Sequence, residues 1–547
     1  MAIFFLFSMF LGAALQITNQ WGVSGQFDYA LLDHTLTYLG AYRYQDFDIK
    51  NGGQNGRWYI GNSGQQLFNN QSSHELRLAS TPDPGRKLDY QVGLFYLAAR
   101  VYSDDPTYYG PDAGAWNAST AQYTNLIGSG LGRELLRQSQ NGIYRSQVTD
   151  AEVWSRAAFG QVDWHVSERL KVTAGYRLTH ETKKNRIRQE LDRGVADGSD
   201  LAAIYNNLQA GNVALDGHGY PVTGGNERLL ADALALRATA VGGGTVNGAG
   251  NVARVTPTRL YDFKYAEPIK GNLSAWTISP TFDISRDVSV YASVAQGAKS
   301  GYINFSSAGQ AAHVKPEESR DYELGVKSLL LNRKLMVNAN LYRTQVKNYQ
   351  ASWRRPNPLD PDNRAADITG VGNVESIGAK GLELQATYQV FPGFNVNVNS
   401  SYNLAEYETD WLVAVPPQSD EELVSPRYVN AKGQQLASVP KFGNSYGVSY
   451  RRPIGSLQAS LSVANRYVGR KYSQDYHTAD TLRKGYSLTN VVVGIGSGDD
   501  DSWELSARIT NVFNKNYGSY GTWGATSAAT ATPGAPRNFQ LVFKSRL

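Results

Sequence analysis

The segments SWELSARITNVFNKNY (Ser502–Tyr517) and RNFQLVFKSRL (Arg537–Leu547) decide the fold. In the first segment, apolar and polar residues alternate from Trp503 to Thr510, so one face is apolar and the other is polar. A period of two is typical of a β-strand with different surroundings on its two sides. Phe539, Leu541 and Phe543 repeat the pattern close to the C-terminus. The two segments therefore predict two amphipathic strands joined by a Gly/Ala/Thr-rich loop.

The composition fits many such strands better than several soluble domains. The 547 residues include 34 Tyr, 10 Trp and 54 Gly, and 18% are charged, below the roughly 25% of soluble domains. The mean hydropathy of −0.41 argues against membrane helices. It permits a transmembrane β-barrel, in which only every second strand residue faces lipid. The absence of Cys excludes thiolate chemistry, and a net charge of +5 without a basic block gives no support for nucleic-acid binding.

Residues 1–20 form a separate predicted segment, and residues 21–547 form the predicted barrel. The first sixteen residues, MAIFFLFSMFLGAALQ, are apolar and carry no Lys or Arg. A signal peptide has a basic region before its apolar core. We therefore favour a segment that replaces missing strands over a working signal peptide.

Pairs of alternating segments, each joined by a tight turn, follow one another along the chain. The predicted pairs are Gly25–Gln45, Ser73–Val101, Glu152–Thr182, Ser274–Gln296, Ser319–Asn348, Gly378–Ala405, Phe442–Tyr467 and Gly485–Thr510, followed by a last strand at Asn538–Phe543. Long segments separate the pairs. Asp46–Asn70 and Tyr102–Asp150 are predicted loops, and Lys183–Lys270 is a connection with helical character at Leu201–Leu208 and Arg228–Ala238.

Tight turns and long loops that alternate in this way predict an all-β, antiparallel transmembrane barrel of about 17 (16–18) strands. Tight turns lie on the periplasmic side of such barrels and long loops lie outside. The last strand then leaves the C-terminus in the periplasm of a Gram-negative cell. The first strand runs in the same direction, whereas bacterial barrels have an even number of strands. We therefore expect at least one strand to be missing at the beginning.

Five motifs in the same order resemble those of TonB-dependent outer-membrane receptors, which transport ferric siderophores and related scarce nutrients. The matching segments are VYASVAQGAKSGYINF (Val290–Phe305), VKPEESRDYELGVKS (Val314–Ser328), VESIGAKGLELQATY (Val374–Tyr388), KGQQLASVPKF (Lys432–Phe442) and LSARITNVFNKNYG (Leu505–Gly518). The resemblance covers about residues 20–547. It implies an outer-membrane receptor that contacts lipid and a ferric siderophore or other small nutrient, and that is not an enzyme.

The same resemblance implies a barrel of 22 strands, filled by an N-terminal plug that follows a short TonB-contacting segment. Neither the plug nor the TonB-contacting segment is recognisable here. We therefore expect a truncated or split receptor, with a separately encoded plug as one arrangement. Leu547 also stands where the family usually ends in Phe.

Aromatic and cationic residues of the predicted outer loops are the candidate ligand contacts, because they suit an anionic, planar chelate. They are Trp58, Tyr59, Tyr108, Tyr109, Trp116, Trp353, Arg354, Arg355, Tyr472 and Tyr476. The alternative for each is packing, or a place in the aromatic girdle of the barrel. Tyr291 and Tyr402 are predicted to belong to this girdle or to face lipid. Asn395, Asn397, Asn399 and Arg177 are predicted to line the lumen.

Other chemistry finds little support in the sequence, and no cofactor or metal is predicted. Gly128–Leu136 (GSGLGRELL) superficially resembles a phosphate loop, but its glycine spacing is wrong. The Asp-rich SGDDD, Ser497–Asp501, is better explained as a solvated turn than as a Ca²⁺ site. The seven His form no metal-binding pair four residues apart.

Two other functions stay open. An unplugged barrel would be a passive, porin-like diffusion channel. An incomplete barrel, with an open sheet edge in lipid, would be a non-functional receptor fragment.

Overall fold

A computed structural model gives the structure of most of the chain. It describes residues 15–55, 58–81, 83, 85–118, 120–193, 199–209, 225–241, 259–265, 267–305, 311–356, 368–415, 427–498, 502–523 and 529–545. Most of the apolar N-terminal segment and the three Asp of the predicted turn at 499–501 lie outside these residues.

The described residues from 15 to 305 contain ten strands and five helices. In chain order they are β1 (Leu15–Leu31), β2 (His34–Asn55), β3 (Trp58–Ser80), β4 (Leu88–Tyr109), α1 (Ala113–Asn117), α2 (Thr120–Ile127), α3 (Gly130–Gln138), β5 (Tyr144–His165), β6 (Leu170–Arg193), α4 (Ser199–Gln209), α5 (Gly225–Val241), β7 (Arg259–Tyr265), β8 (Ile269–Ser285), β9 (Val288–Lys299) and β10 (Tyr302–Phe305).

The described residues from 311 to 545 contain strands and one short 3₁₀ turn at Ala479–Thr481. The strands are β11 (Ala311–Val314), β12 (Glu317–Leu330), β13 (Leu335–Arg355), β14 (Ile368–Phe391), β15 (Phe394–Tyr407), β16 (Leu412–Ala414), β17 (Tyr428–Asn430), β18 (Phe442–Ile454), β19 (Leu457–Val468), β20 (Lys471–Tyr472), β21 (Leu482–Arg483), β22 (Tyr486–Ser497), β23 (Trp503–Thr510), β24 (Gly518–Trp523), β25 (Ala529–Pro533) and β26 (Asn538–Ser545).

Seventeen strands form one antiparallel meander in chain order, which confirms the predicted fold class. Its strands are β1–β6, β8, β9, β12–β15, β18, β19, β22, β23 and β26. The short β7 joins the sheet through the far end of β6 alone. At the tight-turn end the strands are joined by two to seven residues, as at Pro392-Gly393, where Gly393 has a φ of 82°.

At the long-loop end the strands run further than predicted. The predicted loop Asp46–Asn70 is wrong, because β2 and β3 pair from His34↔Ser80 to Asn55↔Trp58. The predicted loop Tyr102–Asp150 is also too long, since β4 continues to Tyr109 and β5 begins at Tyr144. Backbone pairing needs no apolar side chain, so the ladder continues where the apolar alternation stops.

The meander has an apolar face and a polar face, which alternate along every strand. Leu94, Ala158 and Leu178 stand side by side on the apolar face, and Leu94 is 61% exposed. On the polar face, the Arg177 guanidinium lies 5.0 Å from the centroid of the Phe95 ring. Exposed leucines on one face and polar residues on the other are typical of a sheet with lipid on one side.

Both outer edges of the meander are open in the part of the chain that the structure describes. No hydrogen-bonded ladder there joins β1 to β26, and nearly all side chains of both strands are exposed. An unpaired edge leaves backbone N–H and C=O groups without partners, which is costly in lipid.

The five helices form a small helical cap at the long-loop end. Their common core contains Leu126, Leu131, Leu135, Leu136, Leu201, Tyr205, Leu229, Ala233 and Leu236. The predicted helical character of Leu201–Leu208 and Arg228–Ala238 is confirmed by α4 and α5. Among the described residues, no helix has the length and apolarity needed to cross a membrane.

Candidate ligand-binding surface at the long-loop end

Tyr59 and Tyr108 meet at the ends of β3 and β4. Their ring centroids are 6.4 Å apart. The Tyr59 N–H donates a 2.7 Å hydrogen bond to Asp112 Oδ2, and the Asp112 N–H donates to the Tyr59 carbonyl at 3.1 Å. This reciprocal pair fixes the tyrosine pair against the start of α1.

Tyr109 and Trp116 connect the strand ends to the helical cap. The Tyr109 N–H donates to the Ile143 carbonyl, and its own carbonyl accepts from the Gly142 N–H, both at 2.9 Å. Trp116 lies in α1, four residues before α2 begins. The Trp58 backbone pairs with Asn55, and its side chain lies outside the described residues.

Trp353 and Arg355 form the strongest candidate contact of the predicted set. The Arg355 guanidinium lies 4.9 Å from the centroid of the Trp353 ring, which is within the range of a cation–π interaction. The ring covers Gly370 and Gly372 of β14, where an added Cβ would be 2.5 Å and 3.0 Å from ring atoms. The two glycines therefore keep the space in which the ring lies flat.

A local change of the backbone at Asn348 places Trp353 on the same face of β13 as Val346. Asn348 adopts a left-handed φ of 53°, and Val346 and Tyr349 on either side of it pack into the same buried cluster. Simple alternation would put them on opposite faces. Trp353 and Arg355 follow Tyr349 on this face, whereas Arg354 alternates to the other face.

Tyr472 and Tyr476 lie in a third region, the loop that follows β19. The Tyr472 ring stacks on His477, with centroids 4.0 Å apart and an interplanar angle of 10°. Tyr476 is only 8% exposed, so its ring packs inside the loop. In the described residues, no ring or cation contact joins this region to Trp353 or to Tyr59.

A buried polar group beneath this surface was not predicted. Tyr407 is 2% exposed and forms a hydrogen bond with the Asp475 side chain, which also accepts from the Ala437 N–H at 2.8 Å. Tyr407 ends β15, whereas Ala437 and Asp475 lie in two separate loops, so the three follow no common periodic pattern. The sequence therefore offers no signal for their contact.

Glu408, just beyond β15, is a second unpredicted polar residue. It accepts hydrogen bonds from Ser376 Oγ at 2.6 Å and Gln345 Nε2 at 2.9 Å. These two bonds hold the pKa of the Glu408 carboxyl below its usual value. Glu408 therefore places a fixed negative charge near Arg343 of β13 and Lys380 of β14.

A cavity of about 660 Å³ follows the polar face farther from the long loops. Its lining includes Tyr291, Lys327, Asn340, Glu383, Asn399 and Arg466. The prediction that Tyr291 faces lipid is wrong. Its hydroxyl donates to the Glu323 carboxylate, and its ring covers Gly325, where a Cβ would be 2.5 Å away. Alternation along β9 agrees with this face, because Tyr291 shares it with the small, polar Ser289 and Ser293.

The other predicted orientations agree with the structure. Asn395, Asn397 and Asn399 lie on the polar face together with Arg177. Tyr402 lies on the apolar face beside Leu382 and Phe442, its partners in the register. All three of these side chains are exposed.

A family model described as the β-barrel of TonB-dependent receptor-like proteins matches residues 10–512. The chain belongs to this family. The resemblance found in the five motifs is thereby confirmed. Members of the family are outer-membrane receptors and transporters rather than enzymes.

One relative resembles part of the chain in sequence, and solved structures of low sequence identity share its fold. The ferrichrome outer-membrane transporter and phage receptor of Escherichia coli K12 is 26% identical over 212 residues, which are 37% of this chain and 23% of that protein. The ferric yersiniabactin uptake receptor of Yersinia pestis has a TM-score of 0.62 at 16% identity, covering 96% of this chain and 61% of its own. A siderophore receptor of Acinetobacter baumannii has a TM-score of 0.59 at 14% identity, covering 96% and 64%. The chain thus spans about three-fifths of the length of these structures.

The structure gives no support to a phosphate loop at Gly128–Leu136, and the three Asp of the second motif-like segment lie outside the described residues. Gly128–Leu136 overlaps α3, whose N-cap Ser129 accepts a 3.0 Å hydrogen bond from the Gly132 N–H. The Ser129 side chain therefore caps the N-terminus of α3, as an N-cap residue of an ordinary helix does. In the part of the chain that the structure describes, no three His, Asp or Glu side chains gather closely enough to hold a metal ion.

Proposed function

We propose that this chain forms the barrel of an outer-membrane receptor for the TonB-dependent uptake of a ferric siderophore or a similar scarce nutrient. The observation that carries the proposal is the Trp353–Arg355 pair at the long-loop end of a barrel of this family. A cation held over an indole offers charge and an aromatic face to an anionic, planar chelate. The E. coli relative, named a ferrichrome transporter, supports the same class of ligand.

The proposed orientation puts the long loops and the helical cap outside the cell. The tight turns and the C-terminus are then in the periplasm, and the apolar face contacts lipid. Strands that complete the barrel would pair with the open edges of β1 and β26. A plug would hydrogen-bond the polar face, for which Glu383, Lys327 and Asn399 offer charges and amides.

Ligand binding tests the site. The folded receptor in detergent is titrated with ferric catecholate and ferric hydroxamate chelates, and quenching of tryptophan fluorescence is recorded. Arg355→Ala should weaken binding about tenfold, the effect of losing a cation–π and charge contact of about 1–2 kcal/mol. Arg354→Ala is the matched control, because it removes the same charge from the other face of β13. Equal affinities for the two variants would exclude the proposed contact.

An uptake experiment tests whether transport depends on TonB. Cells that depend on this receptor should accumulate the chelate only when TonB is present. Uptake that persists without TonB would instead support the second candidate, a passive diffusion channel. The polar face and its 660 Å³ cavity favour that candidate. It predicts stable conductance steps in planar bilayers, and a correctly inserted but silent barrel would exclude it.

A further inference from the structure

A group of polar side chains interrupts the apolar face on β3. Leu76 stands beside Leu94 of β4 on this face, and every second residue from Leu76 towards the long loops shares it. These residues are His74, Ser72 and Asn70, which we call the polar stripe. His74 and Asn70 are exposed, and Ser72 is half-buried. Three hydrogen-bonding side chains therefore follow one another on the face that carries apolar residues in such barrels.

The polar stripe lies within the depth of the hydrocarbon layer. β3 ends at Ser80 beside a tight turn, and the stripe lies six to ten residues before that end. At about 3.4 Å per residue and a tilt of about 45°, the stripe is about 14–24 Å above the turn. The apolar band of such barrels is about 25 Å tall. His74 is therefore near the middle of the band, and Asn70 is near its outer boundary.

Two tyrosine rings flank His74. The ring centroids of Tyr38 on β2 and Tyr96 on β4 are 6.2 Å and 6.3 Å from that of His74. The Tyr38 hydroxyl and His74 Nδ1 form a 2.9 Å hydrogen bond. Among the described residues, Nε2 of His74 has no hydrogen-bond partner. The imidazole is thus fixed through one nitrogen and keeps the other for a partner outside the chain.

The other two side chains of the polar stripe also lack partners. In the part of the chain that the structure describes, neither the Asn70 amide nor the Ser72 hydroxyl forms a hydrogen bond. Asn465 of β19 provides a contrast, because it lies on the apolar face beside Tyr446 and as far from its tight turn as Ser72. Its Nδ2 donates a 2.7 Å hydrogen bond to Thr489 Oγ1 within the sheet. A polar group without a partner is costly in hydrocarbon, so the stripe requires a partner that reaches it through the lipid.

We propose that the polar stripe is the contact between two copies of this barrel in the membrane. Copies inserted in the same direction are related by a two-fold axis along the membrane normal, which brings each stripe to the depth of its counterpart. An amide, a hydroxyl and an uncharged imidazole each contain a donor and an acceptor, so the stripe is complementary to itself. An acyl chain offers neither group. The inference rests on the lipid contact of the apolar face proposed above and is independent of what the receptor transports.

The tilt of the strands limits the size of this contact. β3 of one copy and β3 of its partner cross at about 90°, because each is tilted by about 45°. The two stripes therefore meet at one point, and Ser72 is the middle residue of the stripe. Its register partner on β4 is Ala98, whose short side chain allows the two sheets to approach closely. We expect about three hydrogen bonds at the crossing, one on the two-fold axis and a symmetric pair beside it.

Energy transfer between labelled copies in phosphatidylcholine vesicles tests the association. The full chain carries a donor or an acceptor dye on Arg169→Cys in a tight turn, and the protein-to-lipid ratio is varied. A variant with Asn70→Leu, Ser72→Val and His74→Leu should need a ratio about thirtyfold higher than the parent for the same transfer, from about threefold for each of three hydrogen bonds. The new side chains suit a lipid-facing strand, so the variant should fold, and heat-modifiable gel migration reports folding.

Two matched variants separate this contact from general effects of polarity in the membrane. Asn465→Leu removes an amide at the depth of Ser72 on another part of the sheet and should leave the association unchanged. His74→Gln keeps a donor and an acceptor and should keep most of the association. Equal association of the parent and the triple variant, or an equal loss with Asn465→Leu, would overturn the proposal. A folded parent that stays monomeric at every ratio would also overturn it and would leave the proposed receptor function intact.

Oxidation of cysteine variants in intact cells tests the identity of the partner. The chain contains no Cys, so Ser72→Cys can form a disulfide only through that position. We expect a product of two identical chains. Val463→Cys lies on the apolar face of β19, six residues from the start of the strand, and should give no such product. Equal cross-linking at both positions, or a product of Ser72→Cys with a different protein, would overturn a second copy as the partner.

Discussion

Replacing Gly132 of α3 by Ala tests the packing of the helical cap. A Cβ at this position would lie 2.2 Å from the carbonyl oxygen of Leu126 and 2.9 Å from its carbonyl carbon. Both atoms belong to the backbone, so α2 and α3 must move apart. Overpacking of this kind costs about 1–3 kcal/mol, against which Ala gains about 1 kcal/mol of helix propensity over Gly. We expect a net loss of about 1–2 kcal/mol in the stability of the cap.

Gly130→Ala is the matched control, since it lies in the same helix with nothing within 4 Å of its added Cβ. It should stabilise the cap by up to about 1 kcal/mol. Hydrogen exchange of the α4 and α5 amides reports the stability, because both helices share a core with α3. Gly132→Ala should accelerate their exchange and Gly130→Ala should slow it. Equal effects of the two substitutions would refute the packing described for α2 and α3.

Two further predictions concern other residues at the long-loop end. Arg237 is 2% exposed, and it donates to Asp200 at 2.9 Å and 2.8 Å and to the Gln138 carbonyl at 2.8 Å. Arg237→Ala should destabilise the cap by about 3 kcal/mol, which limited proteolysis would detect as faster cleavage. A protease resistance equal to that of the wild type would contradict the role of this ion pair. Burial lowers the pKa of His477, although Asp475 partly opposes the shift, so the folded loop binds a proton less tightly than the unfolded loop. The loop should be fully stable above about pH 6.5 and lose protection from hydrogen exchange as the pH falls below it. His477→Asn, which tolerates the φ of 47°, should lose this pH dependence, and an unchanged dependence would show that another group titrates.

The tight-turn ends of the strands were predictable, and the long-loop ends were not. The predicted turn between Phe391 and Phe394 is the observed one, and the same strands end at Ile368 and Tyr407 rather than at Gly378 and Ala405. Lipid imposes apolar residues on one face only within its own thickness. Beyond it, the backbone ladder continues with polar side chains on both faces, so the sequence gives no sign of where a strand stops.

The helical cap and the aromatic surface depend on contacts between distant segments. The core of α3 is completed by α5, whose residues lie about a hundred positions further along the chain. Alternation alone would also place Val346 and Tyr349 on opposite faces, whereas the left-handed Asn348 puts them on one face. The sequence therefore identified Trp353 and Arg355 as candidates but not the geometry that joins them.

Cysteine labelling in whole cells tests the central claim, a receptor barrel with its long loops outside. The chain contains no Cys, so single substitutions give an unambiguous signal. A thiol reagent that cannot cross the membrane should label Arg228→Cys in α5 and Lys432→Cys on intact cells. It should label Arg169→Cys and Arg286→Cys, in two tight turns, only after the outer membrane is permeabilised. Labelling of the tight-turn positions on intact cells, or protection of the loop positions, would contradict the account.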